Sequence, residues 1–170
     1  MENSTLSEQD RGHLRHCVAL AQQALDAGDE PFGSVLVDGS GAVVRADRNR
    51  IASGDPTAHP ELALAQWAIA HLSPQVRARA TVYTSGEHCP MCAAAHAWAG
   101  LGRIVYAASS AQLGQWLDSW GVAAPPVRGL PITTVAPSAD VAGPDEQLAD
   151  EVRLLHARRH GIDASEGPQH

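Results

Sequence analysis

Apolar and polar positions follow two rhythms along this chain, and each change of rhythm marks an element. From about Ser7 to Ala27, Leu14, Val18, Ala21 and Leu25 recur at helical spacing, which predicts an amphipathic helix stopped by Gly28. Ser34 to Asp38 and Ala42 to Asp47 are short β-rich runs, and Gly39-Ser40-Gly41 between them predicts a hairpin. Arg50 to Thr57, rich in Ser, Gly, Asp and Pro, reads as a loop that delivers the chain to His59. Pro60 suits the first position of a helix, because the amide hydrogen it lacks would be unpaired there. Leu62, Leu64, Ala65, Ala68, Ile69 and Leu72 make that helix apolar over much of its circumference, as expected for one packed on a sheet.

Ala80 to Thr84 reads as a buried strand and Ser85 to His88 as a loop; a second helix starts at Cys89-Pro90 and runs to Gly100. Arg103 to Ala107 is the next strand, Ala111 to Trp120 a short helix, Pro125 to Pro131 a loop, Ile132 to Val135 a strand, and Pro144 to His160 a charged closing helix. Residues 1–6 and 162–170 are expected to fray. Strands that alternate with helices after an opening hairpin predict an α/β fold with a partly parallel central sheet. The length of 170 residues fits one domain spanning 1–170.

Composition narrows the classes. The apolar fraction is 44%, and no apolar run approaches the ~18 residues of a membrane span. The first residues are polar and mixed in charge, unlike a secretory signal, so the cytoplasm is the default location. The net charge is −7 and every basic residue is arginine, a balance that argues against broad binding of nucleic acid through its phosphates. Three cysteines cannot build a disulfide framework; two of them, at C-x-x-C spacing, read as metal or redox. Cys17, beside the apolar stripe of the first helix, reads as a small buried hydrophobe.

The chemistry lies in His59-Pro60-Glu61 and Cys89-Pro90-Met91-Cys92. One imidazole and two thiolates can hold a zinc ion with three protein ligands, one ion per chain, and leave the fourth position open, as catalytic zinc sites do. Both segments begin helices, whose unpaired amides and partial positive charge favour thiolates. Cys89 and Cys92 are three apart, so on a first helical turn they converge on one point. Glu61 is left for proton transfer, with zinc lowering the pKa of a water toward ~7. The alternative is a closed structural site with Glu61 as a solvated charge at a helix start.

HPE followed by CPMC resembles the zinc-dependent cytidine/deoxycytidylate deaminase superfamily, whose signature is H-x-E with P-C-x-x-C. Asn49-Arg50 and Asp55-Pro56-Thr57-Ala58-His59 are similar to segments of tRNA adenosine deaminases and guanine deaminases, while Pro31-Phe32-Gly33 and Trp98 look more like the guanine branch. Arg103-Ile104-Val105-Tyr106-Ala107 matches the strand after the second zinc helix in both. The resemblance implies a three-layer α/β/α sandwich with a central mixed five-stranded sheet. It implies zinc on His59, Cys89 and Cys92, and Glu61 as the proton shuttle of an aminohydrolase.

The same resemblance implies a small heterocyclic substrate, guanine favoured, and a homodimer. Asn49 would hydrogen-bond the substrate or serve a turn, and the Ala58 amide would meet a ring carbonyl. Phe32 and Trp98 would line the pocket or fill core. His88 stands where the family usually has proline; it would orient a zinc ligand, edge the pocket or do neither. Asp118, in a Gln115–Gly121 segment without a family counterpart, would read an amino group or cap a turn. Two other readings are a tRNA adenosine deaminase and an inactive zinc-stabilised binding or scaffold protein of the same fold.

Overall fold

Helix α1, Glu8–Asp26, starts at a reciprocal cap: the Ser7 hydroxyl accepts the Asp10 amide at 3.0 Å, and the Asp10 carboxylate accepts the Ser7 amide at 2.9 Å. Asp10 also accepts the Tyr83 hydroxyl at 2.8 Å and pairs with Arg103 at 3.1 Å, so the helix start is fixed to the sheet. The computed structural model describes residues 6–164. After α1 come strands β1, Gly33–Val37, and β2, Val43–Arg48; a 3₁₀ turn, Ile51–Ser53; and helices α2, Pro60–His71, and α3, Pro74–Ala78. Strand β3, Thr81–Gly86, helix α4, Pro90–Ala99, strand β4, Ile104–Ala108, and helix α5, Ser110–Ser119, follow. A helical turn α6, Ile132–Val135, strand β5, Val141–Ala142, and helix α7, Glu146–Arg159, complete the described chain.

The sheet order is β2-β1-β3-β4-β5, with β1 antiparallel to β2 and β3, and β4 parallel to β3 and β5. Successive side chains of a strand point to opposite faces. Val35, Val37, Tyr83 and Val105 therefore join the core beneath α1 and α7, whereas Leu36, Val82 and Ile104 face the layer of α2, α4 and α6. The result is the mixed five-stranded sheet between two helical layers that the resemblance implied. Cys17 is fully buried in the α1 core, where burial pushes its thiol pKa up. Among the described residues no helix is long and apolar enough to cross a membrane.

Three sequence expectations change. Ile132 to Val135, read as a strand from its β-branched residues, is the helical turn α6, because Glu87 accepts the Ile132 amide at 2.8 Å and holds a helix start there. The fifth strand is the two-residue β5 instead. Helix α3 was not expected; the Ser73 hydroxyl caps it by accepting the Val76 amide at 3.3 Å. Leu6, assigned to a fraying end, is buried in the core under α1. At the other end the Ile162 amide donates to the Ala157 carbonyl at 2.9 Å. Residues 1–5 and 165–170 lie outside the described residues.

Candidate metal centre

Both motif segments enter helices in the same way. His59 is the extended N-cap of α2 and Cys89 that of α4, with Pro60 and Pro90 at the first helical positions. Because α2 and α4 pack side by side, their starts bring the donors together. His59 Nδ1 lies 3.7 Å from Cys89 Sγ and 3.7 Å from Cys92 Sγ, and the three donor atoms all fall within 4.8 Å of one another. A tetrahedral zinc with bonds of ~2.3 Å to sulfur and ~2.0 Å to nitrogen spaces such ligands about 3.6 Å apart. His59, Cys89 and Cys92 thus fit one zinc ion with three protein ligands.

The electrostatics suit that donor set. The Cys92 thiol donates toward Cys89 and outweighs burial, and the His59 imidazole adds to it, so the Cys89 pKa falls to about 4. The same partnership, with burial and the nearby Glu61 charge, pushes the Cys92 thiol up. The hydrogen bond to Cys89 raises the His59 pKa above its ordinary 6.5. A thiolate is therefore favoured at Cys89 from its surroundings alone.

Glu61, on the first turn of α2, is 6% exposed and stands outside the donor cluster. Burial raises its carboxyl pKa, and the hydrogen bond from Thr84 works against that rise. Its Oε1 accepts the Thr84 hydroxyl at 2.7 Å and lies 3.2 Å from the Ser34 hydroxyl.

The remaining sequence candidates separate. Asn49 is buried and serves a turn, its Oδ1 accepting the Ile51 amide at 3.1 Å. Arg48 donates to the Asn49 carbonyl at 3.0 Å and to Asp29 at 2.8 Å, which anchors that turn. The Ala58 amide donates to the Asp55 carbonyl at 3.1 Å. The loop between them closes where the Arg50 amide reaches the Ala58 carbonyl at 3.0 Å.

Phe32 is half-buried and meets His156 edge-on at 5.0 Å. With Trp116 the two rings line a small crevice of about 10 Å³ beside Gly86 and Ala108, at the C-terminal ends of β3 and β4. Ligands of α/β sheets gather at such strand ends. His88 is not at a pocket edge: it is fully buried, edge-on to His96 at 5.5 Å, and burial holds its pKa far down. Trp98 is 90% exposed and sits apart from the zinc donors. It borders a groove of about 790 Å³ with Thr81 and Arg103, at the opposite ends of β3 and β4. Asp118 is exposed on the last turn of α5, whereas Trp116 of the same segment turns inward.

Sequence reasoning assigned no role to four residues: Ser34, Thr84, Glu87 and His156. The first two carried a readable signal. They are hydroxyl side chains at buried strand positions, Ser34 among the apolar residues of β1 and Thr84 in a β3 that is buried from Val82 onward.

Comparison with known proteins agrees with this geometry. The family described as "Cytidine and deoxycytidylate deaminase zinc-binding region" matches residues 7–108. A probable cytosine deaminase of Schizosaccharomyces pombe is 36% identical over 115 residues, 66% of this chain and 68% of that protein. The guanine deaminase of Bacillus subtilis is 36% identical over 96 residues, 56% of this chain and 62% of that protein. A solved tRNA:A34 deaminase of A-to-I editing superposes with a TM-score of 0.59 at 25% identity, covering 85% of this chain and 99% of that one.

Proposed function

The chain belongs to the cytidine and deoxycytidylate deaminase zinc-binding family, and from that premise we propose that it hydrolyses an exocyclic amino group from a nucleobase, nucleoside or related nitrogen heterocycle, releasing ammonia. The observation that carries the reading is the pairing of a three-donor zinc site with a buried carboxylate that is not one of its ligands. Bound zinc lowers the pKa of water and so makes a nucleophile available at neutral pH.

The rest is work for this chain's own side chains. Glu61 takes a proton from the attacking water and gives it to the ring nitrogen, then returns the second proton to the departing amine. Water and the amino heterocycle thus become the oxo heterocycle and ammonia. Its burial suits the role, because a carboxyl with a raised pKa both accepts and returns protons near neutral pH.

A free base or small nucleoside, guanine first, is the favoured substrate. The net charge of −7 and the absence of lysine weigh against the phosphate contacts that a tRNA substrate demands. A tRNA adenosine substrate is the second reading, and an inactive scaffold the third. Glu61, present and held by the Thr84 hydroxyl, speaks against the scaffold. Asn49 and the Ala58 segment would border the substrate; a cytoplasmic homodimer completes the reading.

An ammonia-release screen of the zinc-loaded protein over purines, pyrimidines, pterins, triazines and their nucleosides tests it. Release from a free base or nucleoside supports the reading. Tight, salt-sensitive tRNA binding with inosine formation selects the second reading, and no release from any compound selects the third.

A further inference from the structure

Ser34 and Thr84 are direct partners across the antiparallel pair β1 and β3. Both are fully buried on the face against which the start of α2 packs, where neighbouring positions carry Leu36 and Val82. A hydroxyl in such a place costs stability unless it is hydrogen-bonded. Here each one is. The Ser34 hydroxyl lies 2.9 Å from Thr84 Oγ1, and Thr84 Oγ1 lies 2.7 Å from Glu61 Oε1 and 3.0 Å from the Gly86 carbonyl.

Proton counting orders this network. Each hydroxyl has one hydrogen, and a charged carboxylate only accepts. At 3.2 Å the Ser34 bond to Glu61 is longer than its 2.9 Å bond to Thr84, so the better chain runs from Ser34 to Thr84 to Glu61. Thr84 has one hydrogen for two acceptors, and Glu61 Oε1 at 2.7 Å is nearer than the Gly86 carbonyl at 3.0 Å. The chain therefore ends on Glu61 Oε1.

We propose that Ser34 and Thr84 are positioning residues that hold the Glu61 carboxylate in its proton-transfer orientation through this cross-strand hydroxyl chain. The assignment rests on the deaminase reading above, and it concerns Glu61 orientation rather than zinc binding. Catalytic groups misplaced by ~1 Å lose about 100-fold in rate. Thr84→Val, which replaces the hydroxyl with a methyl group, is therefore expected to keep its zinc and its KM within about threefold while kcat falls about 10- to 100-fold. Thr84→Ser is expected to restore most of kcat, and Ser34→Ala, which leaves the Thr84 bond in place, to lose only about two- to tenfold.

Zinc content, steady-state kinetics and crystal structures of the wild type and these variants test the proposal together. The expected crystal result is a Glu61 carboxylate displaced or spread over several rotamers in Thr84→Val and restored in Thr84→Ser. A Thr84→Val protein with kcat within about tenfold of wild type overturns the proposal, because one lost hydrogen bond by itself accounts for about two- to tenfold. So does loss of zinc in Thr84→Val, which assigns Thr84 a structural role. A carboxylate that stays within about 0.5 Å of its wild-type place overturns it too. If the wild type releases no ammonia from any compound, the deaminase reading fails by itself, and the crystal comparison still decides whether the hydroxyls position Glu61.

Discussion

Glu87 Oε2 accepts the backbone amide of Ser110 at 2.8 Å, so the residue two before the first zinc cysteine caps the start of α5. Its other oxygen accepts the Ile132 amide at 2.8 Å and caps α6. One carboxylate thereby satisfies two helix starts and fixes the loop from β3 into α4. Its own amide donates to the Ala108 carbonyl at 2.8 Å, which ties the loop to β4.

Removing that carboxylate should loosen the centre and the helices together. Glu87→Ala leaves two amides without their acceptor and is expected to cost about 2–4 kcal/mol, by a loss of ~1–2 for each cap. Glu87→Gln, with one acceptor oxygen, is expected to lose about half of that. Urea unfolding of zinc-loaded protein measures both. Equal stability of wild type and Glu87→Ala would show that the caps contribute nothing.

A second expectation concerns pH. His156 is 4% exposed, between Phe32 at 5.0 Å and Trp116 at 6.5 Å, and burial, with a smaller effect from His160, depresses its pKa from 6.5 to about 3. A depressed value means that the unfolded chain binds the proton first as pH falls. The stability that the neutral ring contributes is complete above pH 6.5 and is lost progressively between 6.5 and about 3. The slope it adds is at most ~1.4 kcal/mol per pH unit. His156→Phe, an aromatic ring that does not titrate, should flatten the stability profile across that window. Identical slopes in the two proteins would remove His156 as the cause.

Close packing supplies a third. At Gly33 an added Cβ would collide with the Cys17 carbonyl and the Leu20 Cβ, because β1 and α1 have no room for it. Gly33→Ala is expected to lose about 1–3 kcal/mol by overpacking. It should also impair turnover, since Gly33 precedes Ser34 in the strand and its amide donates to Ser85 Oγ at 3.1 Å. Thermal unfolding and an activity assay on the same sample check both parts.

The sequence was most legible where local chemistry and tertiary structure agree. Pro60 and Pro90 announced the starts of α2 and α4, and those starts bring His59, Cys89 and Cys92 together. The hairpin and strands β3 and β4 were legible from β-rich runs between glycines and loops. Ile132–Val135 misled because its β-branched residues favour strand, while the acceptor that makes it helical, Glu87, lies far away in sequence. Trp98 misled for a related reason. A family-like position on α4 fixes which helix carries the indole, and the rotation of α4 leaves that indole in solvent. The pairing of Ser34 with Thr84 comes from the β1–β3 register, which no local pattern specifies.

Glu61 carries the functional reading, and replacing its carboxylate by an amide tests it most directly. Glu61→Gln keeps the shape of the side chain and leaves His59, Cys89 and Cys92 intact, but its amide cannot take a proton from water. The measurement is ammonia release on the best heterocycle from the screen, with zinc content determined on the same preparations. One zinc per chain in both proteins, with turnover in Glu61→Gln lowered by at least about 100-fold, is the expected result. A zinc-loaded Glu61→Gln protein that releases ammonia at the wild-type rate would contradict the reading.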